Sequence, residues 1–243
     1  MKREIIRLNE VDSTNDYLRR HGSVTDEDMT VVVADHQTSG RGQGTNTWES
    51  EDGKNLLLSI LVRPWHTPTA FQFLLSMTGA LALKDTLDAY TEGITLKWPN
   101  DVYWNDRKIS GTLIETSLSR GHLKGCIFGI GLNINQLQFV SDAPNPVSLA
   151  GILGHEVDRE EVLQQLLDNF ERRYELLERG GAADISANYY MSLYRHEGFH
   201  PYEDADGRFE ACIVEVGDNG TIVLRDSEGR FREYTFKEVR FIT

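Results

Sequence analysis

Residues 158–179 set Val162, Leu163, Leu166, Leu167, Phe170, Tyr174 and Leu177 along one side of a helix, and an apolar stripe of that length has to be buried against a broad surface. Asp158 with Glu161 forms a capping-box pattern at its start, and Gly180-Gly181 breaks it at its end. The spacing marks a packing helix, not a site. The surface it needs lies upstream, where residues 5–8, 29–34, 56–62, 94–98, 102–104, 108–115 and 126–133 read as strands. Asn105-Asp106 supplies a tight hairpin turn between two of them. Asp12 or Ser13 caps a helix that runs to Arg20 and stops at Gly22, and Leu74, Leu75, Leu81 and Leu87 mark a core helix over residues 71–90. Strands and helices mixed without strict alternation predict an α+β fold, not a doubly wound sheet.

The pattern changes near residue 195. A short helix after the glycine pair reaches about Tyr194, and from His196 onward four short strands alternate with Asp-Gly, Asn-Gly and Glu-Gly turns. Turns every ten residues or so predict a small β-barrel packed beside the main unit. The expected division is therefore residues 1–194 and residues 195–243.

Charge and cysteine usage narrow the function. With 25 Lys and Arg against 38 Asp and Glu, the net charge of −13 repels phosphate backbones over most of the surface, so no DNA partner is expected. Cys126 and Cys212 sit in strand-like runs without metal-ligand spacing and read as buried thiols in a reducing compartment. The N-terminal stretch carries charges where a signal peptide needs apolar residues, and no apolar run approaches a membrane span, so a cytoplasmic protein with no membrane partner is expected.

Three stretches exceed what packing requires. In Ser39-Gly40-Arg41-Gly42-Gln43-Gly44-Thr45-Asn46-Thr47-Trp48, within a polar loop over residues 38–53, the glycines permit close backbone approach and Arg41 offers a forked cation for carboxylate or phosphate. A flexible connector is the plain alternative, and the loop has neither a P-loop ending nor a dinucleotide fingerprint. Lys97-Trp98-Pro99-Asn100-Asp101 is followed by Arg107-Lys108-Ile109-Ser110-Gly111, a hairpin whose return strand carries a cation and a glycine. Period-two alternation puts Lys108 and Gly111 on opposite faces unless a bulge intervenes. In Gly129-Ile130-Gly131-Leu132-Asn133-Ile134-Asn135 the two glycines and two asparagines share a face, a flat floor with an amide rim, or a strand crossed by a tightly packed helix.

With Ser13-Thr14-Asn15 before the first helix, these stretches resemble the biotin protein ligases, in which the four motifs occur in this order. Each motif is weak alone; the ordered set, covering most of residues 11–135, is specific. The resemblance implies a monofunctional enzyme whose mixed-sheet catalytic domain is akin to class II aminoacyl-tRNA synthetases, followed by an SH3-like barrel. It implies that biotin and ATP with Mg2+ form biotinyl-adenylate and pyrophosphate, and that biotin then passes to a lysine of the biotin carboxyl carrier domain of a carboxylase. By the same resemblance Ser13, Thr14, Asn15 and Gln37 contact biotin, and Gly40, Arg41, Gly42, Gln43 and Lys108 surround its carboxylate and the phosphate. Trp48 and Asn133 lie near the adenine, and Asn100, Gly111, Gly129 and Gly131 complete the pocket. No metal ligands are assigned to the chain. Which carrier is modified, and whether the protein is a homodimer, the sequence leaves open.

The chemistry fits such residues. Two anions, a carboxylate and the α-phosphate, must meet, and Arg41 and Lys108 are the cations available to offset their repulsion. No covalent enzyme intermediate is needed, and the seven His are scattered. Asp101 is the candidate to orient, or take a proton from, the acceptor amine, whose ordinary pKa is about 10.4. Two departures from the family pattern stand out. The motifs begin within a dozen residues of Met1, so the DNA-binding module of many members is not expected here. Gln43 replaces a usual arginine, and neutral Gly44-Thr45-Asn46 replaces a basic run. A lipoate or octanoate ligase and a non-enzymatic biotin or nucleotide sensor are the competing readings.

Overall fold

The computed structural model describes residues 1–22, 28–119, 122–140 and 145–242. Its larger sheet contains β1 (Arg3–Val11), β2 (Met29–Gln37), β3 (Leu56–Val62), β4 (Ile94–Lys97), β5 (Asp101–Trp104), β6 (Arg107–Ser119) and β7 (His122–Leu132) in the order β1-β2-β3-β7-β6-β5-β4. β1 and β2 run parallel, joined through α1 (Thr14–His21), and every other neighbouring pair is antiparallel, so the sheet is mixed. The α+β expectation holds. The opening strand is longer than residues 5–8 because parallel pairing with β2 continues through polar Glu10 and His36, where hydrophobicity gives no signal.

Alternation along the strands sorts the two faces. Met29, Val31, Val33, Leu58, Ile60, Val62, Cys126, Phe128 and Ile130 belong to the main core, covered by α2 (Phe73–Leu87) and, beyond the short α3 (Leu149–Leu153), by α4 (Arg159–Glu178) and α5 (Ala182–Met191). α2 is apolar nearly all round, as a helix sandwiched between sheet and helices must be, and Gly79 lets it approach Phe128. The stripe of α4 is buried at all seven positions read from the spacing, each worth about 1.5–3 kcal/mol of removed apolar surface. Asp158 caps this helix by accepting from the backbone N–H of Glu160 and Glu161 at 2.8 and 3.4 Å, while Glu161 turns to Gln165 instead of completing the box. On the opposite face Leu18 and Tyr17 of α1 form a smaller cluster with Val32, Ile127, Ile6, Leu8 and Leu61. The rest of that face is left for a site.

The C-terminal strands are β8 (His200–Asp204), β9 (Gly207–Val216), β10 (Ile222–Asp226), β11 (Phe231–Tyr234) and β12 (Arg240–Phe241), antiparallel in the order β11-β10-β9-β8-β12. Five strands replace the four expected, since β12 has only two residues and shows no alternation to detect. Cys212, expected buried, is half-exposed near Arg225, whereas Cys126 is buried and its thiol pKa is raised by that burial. The barrel is joined to the main unit by Trp98 Nε1 donating to Gly220 O (3.0 Å), Phe73 N to Asp218 O (3.3 Å) and Tyr190 Oη to Ile213 O (3.3 Å). Arg195 donates to Pro201 O and to Ile242 O, at 3.2 and 2.7 Å, and so ties the chain's end back to the start of the barrel. No helix among the described residues is long and apolar enough to cross a membrane.

Candidate functional site

A cavity of about 940 Å³ opens on the sheet face that α1 leaves uncovered. Its floor is β7, where Gly129 and Gly131 present backbone. A methyl group at Gly131 would lie 2.2 Å from Cε2 of Trp48, and one at Gly129 would lie 2.3 Å from Oδ1 of Asn15. Both glycines are thus required by side chains lying flat on the strand.

At one end the Ser-Thr-Asn turn is buried and largely occupied by the protein itself. Thr14 donates through its backbone N–H and its hydroxyl to Gln37 Oε1, at 2.8 and 3.1 Å. The Ser59 hydroxyl lies 2.7 Å from Thr14 Oγ1 and 2.5 Å from Asn15 Oδ1. Asn15 Nδ2 donates to Glu115 at 2.9 Å, and Ser13 caps α1 with Oγ 3.5 Å from the N–H of Asp16. Burial alone would raise the Glu115 carboxyl, but hydrogen bonds from Arg19 and Asn15 and the charge of Arg41 more than offset it and hold its pKa low.

The glycine loop is a small folded hairpin. Arg41 bridges Thr47, Gly42 N–H donates to Asn46 O (2.7 Å), and Trp48 N–H donates to Gly40 O (3.0 Å). Gly40 is buried behind the wall, where a side chain would strike Trp48 O at 2.6 Å, so it shapes the loop without lining the cavity. Arg41 lines the cavity, yet its guanidinium is 3.0 Å from Asp16 and 3.3 Å from Glu115. It is a paired cation on the α1 side.

The hairpin β5–β6 supplies the opposite wall. Its register shifts between Val102 and Tyr103, which pair with Ser110 and Lys108, leaving Ile109 as the extra residue. This bulge overturns simple alternation: Lys108 and Gly111 share a face, with Lys108 Cε 3.2 Å from the Cβ position of Gly111. Lys108 Nζ is 2.6 Å from Asp101 Oδ1 and 5.7 Å from the centre of the Trp48 ring. Asn100 uses Nδ2 to hold Thr112 O at 2.7 Å, and Asn133 Nδ2 holds Val147 O at 3.1 Å. Asn135, expected on the same floor, leaves it: both ends of its amide bond Val157 at 2.9 Å, ahead of α4. Lys97, half-buried beside Tyr103 and Phe241, donates to Tyr103 Oη at 2.9 Å, and desolvation lowers its pKa.

Every residue that the resemblance assigns to the site, except Gly40, lines this one cavity, brought together by β-strand order from Ser13 at one end of the sequence stretch to Asn133 at the other. The residues that sequence reasoning missed include Glu49, Thr112, Leu113, Phe139 and Pro146 of the main unit and Phe236, Lys237, Val239, Arg240 and Phe241 of the barrel. The barrel residues form no motif, and only the docking of the barrel shows them. Four buried polar atoms on the cavity walls, Gln43 Oε1, Trp48 Nε1, Thr112 Oγ1 and Asn133 Oδ1, have no protein partner among the described residues. Native interiors seldom leave such atoms unpaired, so this cavity has the hydrogen-bonding demand of a ligand site. Among the described residues no group of three His, Cys, Asp or Glu side chains is arranged to hold a metal ion.

Fold and cavity together define a class: a mixed-sheet α+β domain with a small-molecule site on one sheet face, closed at one side by the tail of a β-barrel. The model of the biotin/lipoate A/B protein ligase family matches residues 8–133, and the chain belongs to that family. It is 33% identical over 208 residues to a biotin--[acetyl-CoA-carboxylase] ligase of Paracoccus denitrificans, covering 82% of this chain and 85% of the relative. It is 30% identical to the bifunctional ligase/repressor BirA of Bacillus spizizenii, covering 85% of this chain but 64% of that protein, so the chain spans less than two thirds of this relative. The biotin protein ligase of Aquifex aeolicus, solved in complex with biotin and ATP, superposes with a TM-score of 0.80 at 27% identity, covering 98% of this chain and 99% of that one.

Proposed function

We propose that this protein is an ATP-dependent biotin protein ligase, which joins biotin to ATP as biotinyl-adenylate and passes biotin to a lysine of a biotin carboxyl carrier domain. The observation that carries the reading is the set of unpaired polar atoms around Trp48 and Asn133 in the same cavity as Lys108 and the Ser-Thr-Asn turn. In this reading Asn133 Oδ1 accepts from the adenine amino group, and Trp48 packs against the base or its ribose. The apolar body of biotin lies toward Gly129, with the unpartnered Thr112 hydroxyl and the O–H of the capping Ser13 placed to bond its ring.

In the first step a biotin carboxylate oxygen attacks the α-phosphorus and pyrophosphate leaves. Lys108, on a rigid bulged hairpin, offsets the charge gathered at the α-phosphate, a contribution of about 3 kcal/mol on the scale of preorganised donors. Arg41 assists only after exchanging its carboxylate partners for substrate. In the second step the carrier amine attacks the mixed anhydride, AMP leaves, and Asp101, once freed from Lys108, accepts the amine's proton. Mg2+ would arrive with the nucleotide, held mainly by phosphates and water, as this ion commonly is. Residues 1–194 would carry both steps and residues 195–243 would close the nucleotide end.

The test is exchange of labelled pyrophosphate into ATP, with biotin, lipoate or neither. Exchange that requires biotin and ignores lipoate is expected, followed by transfer to an isolated carrier domain. Lipoate-dependent exchange, or biotin binding without exchange, would overturn it in favour of a lipoate ligase or a sensor.

A further inference from the structure

Among the described residues, five basic side chains reach the cavity: Arg41, Lys97, Lys108, Lys237 and Arg240. Four are already engaged. Arg41 faces Asp16 and Glu115, Lys108 faces Asp101, Arg240 is paired with Glu203, and Lys97 donates to Tyr103. Lys237 alone has neither a carboxylate nor a hydroxyl partner among the described residues, and its Nζ rests 5.6 Å from the centre of the Phe236 ring. That Nζ stands over the glycine loop, 2.6 Å from the position a Cβ would occupy at Gly44. The backbone at Lys237 has φ of 73°, a left-handed conformation that glycine adopts more readily than any residue with a side chain.

A nucleoside triphosphate brings several negative charges to a loop that holds neutral Gln43, Gly44, Thr45 and Asn46. Arg41 is largely neutralised in place, and Lys108 lies on the far wall beside Trp48. The unspent cation nearest this stretch of loop belongs to the barrel. We propose that Lys237 binds the β- and γ-phosphates of ATP, and the pyrophosphate product, across the loop at Gly44. The barrel is then part of the nucleotide site and supplies the positive charge that the loop lacks. This deepens the adenylating reading above and rests on it for the identity of the triphosphate.

The experiment compares the full chain with Lys237→Gly and Lys237→Arg, using titration calorimetry with ATP and with pyrophosphate and steady-state biotin-dependent exchange. Glycine removes the charge while suiting the left-handed backbone, so the thermal midpoint should stay level or rise. Loss of one charge-assisted contact should weaken ATP and pyrophosphate by about tenfold or more, with biotin affinity changed less than about twofold. Lys237→Arg should restore most of the loss. Equal ATP and pyrophosphate affinities in wild type and Lys237→Gly, no pyrophosphate or ATP binding by wild type, or a parallel loss of biotin affinity would each overturn the proposal. Should wild type bind pyrophosphate through Lys237 and yet catalyse no biotin-dependent exchange, the phosphate contact stands and the ligase reading falls.

Discussion

Lys108 and Trp48 show how a single side chain acquires a role from its support. The Lys108–Asp101 pair is a partly exposed ion pair, of the kind that contributes about 0–1 kcal/mol to stability. Lys108→Ala should therefore leave the thermal midpoint near that of wild type while slowing adenylate formation about a hundredfold or more, the equivalent of ~3 kcal/mol at the transition state. Single-turnover adenylation within a few-fold of wild type would remove Lys108 from the chemistry. Gly131→Ala acts differently, since the added methyl must push the Trp48 ring off β7. The variant is expected to lose ATP affinity at least several-fold while keeping its secondary structure, and equal KM values for ATP would show that the ring is not a nucleotide wall. That Gly131 mattered was legible from its place in a strand; that its partner is Trp48, far earlier in the chain, was not, because strand period says which face a residue takes and nothing about what lies on that face.

The elements divide into those held by one continuous stripe and those held by local charge. Phe170 is fully buried in α4, stacking edge-on with Phe128 at 4.9 Å between ring centres. Phe170→Ala should cost about 3–5 kcal/mol of folding free energy, read as a lower denaturant midpoint at similar slope; a loss under about 1 kcal/mol would mean that the helix repacks. The turn between β10 and β11 is held instead by Asp226, which accepts from the N–H of Glu228 and Arg230 at 3.0 and 2.9 Å and pairs with Arg230 and Arg232. Burial would raise this carboxyl, but the hydrogen bonds and the two guanidinium groups win and push its pKa from 3.8 down to about 2. Because the folded value lies below the unfolded one, the charged form favours folding: its contribution is complete above about pH 4 and fades as pH falls toward 2. Thermal midpoints of wild type and Asp226→Asn should converge over that acid window, and parallel profiles would exclude the carboxylate as the cause.

At the scale of the whole molecule, the charge of −13 is spread over a surface on which many arginines are matched by carboxylates, among them Arg3 with Asp168, Arg7 with Glu160 and Arg173 with Asp85. Duplex DNA should therefore bind neither tightly nor with steep salt dependence, with or without biotin; a nanomolar, salt-sensitive complex in an anisotropy titration would contradict this. The same global view separates what the chain determined locally from what it did not. Helix α4 and its cap, the strands β3 and β7, the two-residue turn at Asn105-Asp106 and the ordered site motifs were all readable, because periodicity, capping and turn chemistry act within a few residues of one another. The bulge at Ile109, the pairing of Arg41 with Asp16 and Glu115, the diversion of Asn135 to Val157 and the arrival of Lys237 over Gly44 were decided only by tertiary structure. Each depends on which surfaces meet after the sheet has formed and the barrel has docked, and burial and charge pairing are properties of that meeting, not of the sequence on either side of it.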